Sequence, residues 1–213
     1  MNAISGRIRQ HNTFFIGYLF FLAQASLLLL AKGKAASFLF LNSYHTPRLD
    51  TFFIYYTNAG DGIFAVLLSV FLFFVLKKKQ LGLTVLIAYS STGILAQIIK
   101  PLMESPRPET YFSPQWLPFF IRDIIHTGHS SFPSGHTVSA FAVATVLALY
   151  QNNKLRHVLF LLLAVLVGFS RIYLSQHFLV DVMTGSFIGV AGGIACVHWC
   201  RNIKEEKLVL KKK

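Results

Sequence analysis

Residues 13–31 read TFFIGYLFFLAQASLLLLA, a stretch without a single charge. A helix rises ~1.5 Å per residue, so this stretch reaches ~28 Å, about one bilayer hydrocarbon thickness. Residues 81–99, LGLTVLIAYSSTGILAQII, repeat the pattern. Gly62–Leu76 is apolar but short and borrows length from the preceding Leu49–Gly60 stretch. Thr137–Tyr150, Val158–Phe169 and Phe178–Trp199 complete the set, the last with one acid, Asp181, near its start. The expected fold is therefore all-α: a polytopic membrane protein with six transmembrane helices, at about 13–31, 52–76, 81–99, 136–150, 157–173 and 178–199, plus short interfacial helices. Gly185, Gly189, Gly192 and Gly193 suit close helix packing in lipid. No internal repeat or linker divides the chain, and 1–213 reads as one membrane domain.

Composition agrees. The 213 residues are 54% hydrophobic and 13% charged, with a mean hydropathy of +0.55. Disorder needs low hydrophobicity, and a disulfide scaffold needs more than two cysteines. Cys196 and Cys200, four apart near the end of the last span, read as packing residues in a reducing compartment. Arg7 and Arg9 precede the first span as in a signal peptide, but its apolar run is too long and lacks an evident cleavage site.

The net charge of +12 fits either a nucleic-acid binder or an oriented membrane protein. Position decides. The termini and the loops on their side hold Arg7, Arg9, Lys77, Lys78, Lys79, Lys154, Arg156, Arg201, Lys204, Lys207 and Lys211–Lys213, against Glu205 and Glu206. The other side holds seven Lys or Arg and six Asp or Glu. An excess of 13 basic residues over 7 places both termini in the cytoplasm. The basic runs are read as orientation and anionic-lipid contact, not nucleic-acid binding.

Ionisable residues at a membrane edge are functional candidates. They form three clusters: Lys100 to Arg107-Pro108, Pro133-Ser134-Gly135-His136, and Ser170-Arg171, His177 and Asp181. With six helices all three fall on the non-cytoplasmic face. Lys100, Arg107 and Arg171 supply the positive charge that a phosphate and its transfer transition state need. Gly135, at a helix start, lets backbone N–H groups approach an anion; Ser134 is expected to cap that helix and to donate to a phosphate oxygen. His177 and Asp181, four apart, share a helix face. A carboxylate on one imidazole nitrogen leaves the other free as nucleophile. His136 is then the general acid for the leaving alkoxide. The two histidines start in opposite protonation states, which predicts a bell-shaped pH–rate profile.

Together these residues resemble the type 2 phosphatidic acid phosphatase family, integral-membrane lipid phosphatases related to vanadium haloperoxidases. The family pattern, Lys-x6-Arg-Pro, Pro-Ser-Gly-His and Ser-Arg-x5-His-x3-Asp, is matched at Lys100, Arg107, Pro108, Pro133, Ser134, Gly135, His136, Ser170, Arg171, His177 and Asp181. The resemblance implies a six-helix haloperoxidase-like core and a phosphohistidine on His177 oriented by Asp181. It implies His136 as acid, and Lys100, Arg107, Arg171, Ser134 and Gly135 as phosphate contacts. It implies no metal and no cofactor. The expected partners are membrane lipids and a substrate such as phosphatidic acid, phosphatidylglycerophosphate, undecaprenyl diphosphate or a lipid A phosphate. The short chain resembles bacterial members, with the site on the periplasmic or extracellular face of the inner (plasma) membrane. A phosphotransferase would share the pocket; a lipid transporter would place its polar site near the midplane, between repeats.

Other polar residues keep two readings. Asp61, in Asn58-Ala-Gly-Asp-Gly62, is an N-cap or a support for the catalytic groups. His126 and His129 suggest metal ligands with His136, but their spacing is loose and they fit a loop equally. The loop from Tyr111 to Phe132, with Trp116, Phe119 and Phe120, is an aromatic belt, a lip for a lipid chain, or both. Leu49–Tyr56 is expected as an interfacial helix.

Overall fold

The computed structural model describes residues 12–112 and 130–210, with side chains as far as residue 202. Helices α1 (Asn12–Leu41), α2 (Pro47–Tyr56), α3 (Gly62–Val70), α4 (Lys79–Met103), α5 (Pro108–Tyr111), α6 (Gly135–Leu149), α7 (Lys154–Tyr173) and α8 (Leu179–Leu210) follow in order. There is no strand among the described residues.

The helix α6 is the axis of the bundle. Twelve of its fifteen residues are buried, and α8, α7 and α4 pack around it. Three glycines of α8 allow the closest approach. A Cβ at Gly185 would lie 2.8 Å from the Ser134 carbonyl oxygen, and one at Gly189 2.5 Å from that of Val138. A Cβ at Gly193 would lie 2.9 Å from Thr145 Cβ. Gly192 turns the other way, toward Thr92 of α4 at 2.2 Å. These small residues let backbones meet where apolar bulk gives no preference between lipid and protein. The outer faces stay apolar: Leu30 is 85% and Leu155 77% exposed, as suits a helix surface that faces lipid.

Among the described residues four helices are long and apolar enough to cross a membrane: α1, α4 with its C-terminal extension, α7 and α8. The stretch expected as one helix over 52–76 is instead a broken pair. Pro47–Gly60 and Gly62–Val75 meet at 60°, and count as a fifth span if taken together. Asp61 causes the break. Its backbone is extended (φ −77°, ψ 155°), and its side chain accepts from Ile63 N to start α3. The sixth expected span, α6, has 15 residues, or ~22 Å, short of a bilayer by length alone. It nevertheless runs between the same two ends as α8: Ser134 N meets Asp181 O, and Arg201 donates to Leu149 O at 2.7 Å.

Other boundaries move outward. Helix α1 passes Ala31 and bends at Gly33, whose φ of +73° a side chain would resist. Helix α4 continues through Pro101 to Met103. The segment around 49–56, expected as an interfacial helix, is helical, as α2, with Thr46 accepting from Leu49 N as its cap. Cys196 and Cys200 are free thiols.

The two ends of the bundle differ in charge. Lys79 at the start of α4, Lys154 at the start of α7 and Arg201 in α8 gather at one end, where Arg201 lies 5.0 Å over the Tyr150 ring. Lys100, Arg107, His136, Arg171 and His177 lie at the other, around one cavity.

Candidate active site

The spacing of the third cluster follows from a helix end and a helix start. Helix α7 closes with Ser175 in the left-handed region (φ +56°). Ser175 N donates to Ile172 O at 3.0 Å and Gln176 N to Arg171 O at 2.9 Å. That pair of bonds is a Schellman closure with Arg171 at its base. Asn42 of the segment after α1 donates to the buried carbonyls of Ile172 and Tyr173 at this helix end. Phe178 then caps α8, and Asp181, three residues in, accepts from Phe178 N at 2.8 Å. This is one half of a capping box. Arg171, His177 and Asp181 are thus set by backbone geometry as the base of one helix end, the turn and the first turn of the next helix.

All three are buried, with Asp181 at 0% and His177 at 2% exposure. His177 Nδ1 lies 3.7 Å from Asp181 Oδ2, beyond hydrogen-bond range. Ser131 touches both. Its hydroxyl donates to Asp181 Oδ2 at 2.5 Å and lies 3.3 Å from His177 Nδ1. The carboxylate expected beside the imidazole is there, and Ser131 Oγ supplies the hydrogen-bond contact to each of the two groups. Burial pushes the His177 imidazole down to about 4, against the opposing pull of Asp181; Arg171 and Arg107 add to the depression. His177 is neutral at neutral pH.

The two arginines are held by different partners. Arg107 precedes Pro108, whose ring suits the first position of α5 and holds Arg107 extended. Its guanidinium donates to the Gln176 carbonyl and side-chain oxygens at 3.2 and 3.3 Å. Arg171 donates to Thr57 Oγ1 at 2.7 Å, while its buried Nε finds no partner among the described residues. A buried guanidinium N–H left unmatched is costly, and an anion in the cavity would satisfy it. Lys100, half-buried at the end of α4, completes the cationic wall.

The cavity, about 1070 Å³, is lined by Lys100, Arg107, Gly135, His136, Arg171 and His177. Its far wall follows one face of α4, at Tyr89, Gly93 and Gln97. A Cβ at Gly135 would meet nothing within 4 Å, so a side chain there would project into open space at the α6 N-terminus. Ser134 does not cap α6. It is fully buried, and its hydroxyl accepts from Thr137 Oγ1 at 2.8 Å. It is absent from the cavity lining. His136, which lines the same cavity as His177, approaches Asp61 at 4.0 Å (Nε2 to Oδ2). One Asp61 oxygen caps α3, as one of its two expected readings has it, and the other faces His136.

Sequence reasoning did not single out Ser131, Gln176 or Thr57. Ser131 and Gln176 flank recognised motif residues, which is the one signal they carry. His126, His129, Trp116, Phe119 and Phe120 lie outside the described residues.

Comparison with known proteins points one way. Residues 80–205 match the PAP2 superfamily. The chain is 30% identical over 156 residues to phosphatidylglycerophosphatase B of Bacillus subtilis, covering 68% of this chain and 71% of the relative. It is 31% identical over 156 residues to the undecaprenyl-diphosphatase BcrC of the same organism, covering 71% and 75%. Among solved structures it is similar to Aquifex aeolicus LpxE, with a TM-score of 0.63 and 30% identity over 78% of this chain and 94% of the other.

Proposed function

Because the chain belongs to the PAP2 superfamily of membrane lipid phosphatases, we propose that it hydrolyses a phosphomonoester or diphosphate on a lipid through a phosphohistidine at His177. The observation that carries this reading is the convergence of Lys100, Arg107 and Arg171 with His177 on one cavity that His136 also lines. Phosphoryl transfer asks chiefly for positioning and for charge around the equatorial oxygens. The cations, the α6 N-terminus and the space over Gly135 meet both needs.

In the first step His177 Nε2 attacks phosphorus as the bond to the lipid oxygen breaks, and His136 gives that oxygen its proton. In the second, His136 takes a proton from water, the water oxygen bonds to phosphorus, and the P–N bond breaks to release phosphate. Each histidine ends as it began. The cavity is much larger than a phosphate and extends along α4 past Gln97 to Tyr89, which leaves room for the leaving lipid's head.

The charge difference between the bundle ends supports cytoplasmic termini and a site on the extracytoplasmic side. The relatives carry the names of phosphatases for phosphatidylglycerophosphate, undecaprenyl diphosphate and lipid A, which defines the substrate panel. The test is phosphate release by purified protein from those three lipids and phosphatidic acid. Wild type is expected to hydrolyse at least one, and His177→Ala none. Hydrolysis by the variant would remove His177 as nucleophile.

A further inference from the structure

We infer that Ser131 is a positioning residue: its hydroxyl carries the contact by which Asp181 orients His177. The inference rests on the proposed role of His177 as nucleophile. The direct gap of 3.7 Å is too long for an N–H···O bond, and Ser131 Oγ spans it. Ser131 is fully buried, and its own N–H donates to Ser105 O at 2.7 Å. The bridge is therefore anchored two residues from Arg107, and the nucleophile's support and one arm of the phosphate clamp share a backbone.

Proton counting settles the direction. A serine hydroxyl has one proton and two lone pairs. With Asp181 ionised, that proton goes to Oδ2. Toward His177 the serine oxygen is then an acceptor, so Nδ1 holds the imidazole proton and Nε2 presents its lone pair to the cavity. When Nε2 bonds to phosphorus and the lipid oxygen departs, the ring becomes cationic. The chain Nδ1–H to Ser131 to Asp181 offsets that charge without any proton leaving the three residues. Hydrolysis of the P–N bond restores the neutral ring.

The experiment compares Ser131→Ala, Asp181→Asn and the double variant, each checked for folding by melting temperature. Ser131→Ala is expected to lower kcat about 10- to 100-fold, the effect of losing one hydrogen bond to a charged group, with KM little changed. Inhibition by orthovanadate, which must bond to Nε2, weakens by a similar factor; inhibition by inorganic phosphate does not. The double variant is no worse than Asp181→Asn alone, because both changes cut one chain. Wild-type kcat in Ser131→Ala would overturn the inference, since Asp181 would then reach His177 unaided. So would strictly additive losses, or equal weakening of vanadate and phosphate, which mark a packing role. A wild type without activity on any lipid phosphate, or an active His177→Ala, counts instead against the parent reading and removes the basis of this one.

Discussion

The two walls of the cavity are built to different standards. On the His177 wall, Arg171, His177 and Asp181 are buried and tied by a Schellman closure, a capping contact and the Ser131 bridge. On the His136 wall, the Asp61 carboxylate is 4.0 Å away, and the His136 and Asp61 side chains are 29% and 43% exposed. A nucleophile gains from being dry, neutral and fixed, because misplacement costs rate directly. A general acid must be reloaded with a proton each cycle, so access to water is part of its task.

If that contrast is right, the sharpest way to break it is to make the acid unnecessary. His136→Ala is expected to lose about 10²- to 10⁴-fold on a lipid phosphate, whose alkoxide leaves poorly. On p-nitrophenyl phosphate, whose leaving group needs no proton, the loss should shrink to within about tenfold. Equal losses on both substrates would mean that His136 mainly shapes the pocket.

The pH profile sharpens the other wall. As the proposed nucleophile His177 would act when neutral, and it is held down to about 4. Its limb of the profile should therefore lie well below the usual histidine range: activity persists above about 4 and falls as pH drops through that value. A limb near the unperturbed histidine value of about 6.5 would show that water reaches His177 freely. The smallest effect is expected at Asp61. Asp61→Asn keeps an acceptor for the α3 cap but loses the charge facing His136. Activity should fall less than about tenfold, with the alkaline limb moving to lower pH, as for a partly exposed ion pair. A larger drop, or a lower melting temperature, would assign Asp61 to the bend of the broken helix rather than to His136.

The legibility of the site divides along a similar line. The Ser170-Arg171, His177 and Asp181 spacing is readable because local backbone rules produce it: one helix end, one turn, one helix start. The glycines of α8 are readable as packing residues, though not which helix each one faces. The bend at Asp61 was half-readable: the capping aspartate was evident, the 60° angle was not. Ser134 sits at the N-cap position of α6, but its side chain bonds no helix N–H and instead accepts from Thr137 Oγ1 inside the bundle.

Taken alone, the sequence determined an all-helical chain with spans apolar enough for a membrane, the uneven split of its charge and a set of candidate residues for phosphate chemistry. Hydropathy, charge counts and motif spacing are properties of short stretches, and the physics acting on them is local. Only the tertiary structure decided that Ser131 contacts both Asp181 and His177, that Gln176 and Thr57 hold the two arginines, and that Asp61 faces His136. Those contacts join residues brought together by the packing of α6 against α8 and by the break before α3. A hydrogen bond depends on tenths of an ångström that only the packed bundle sets.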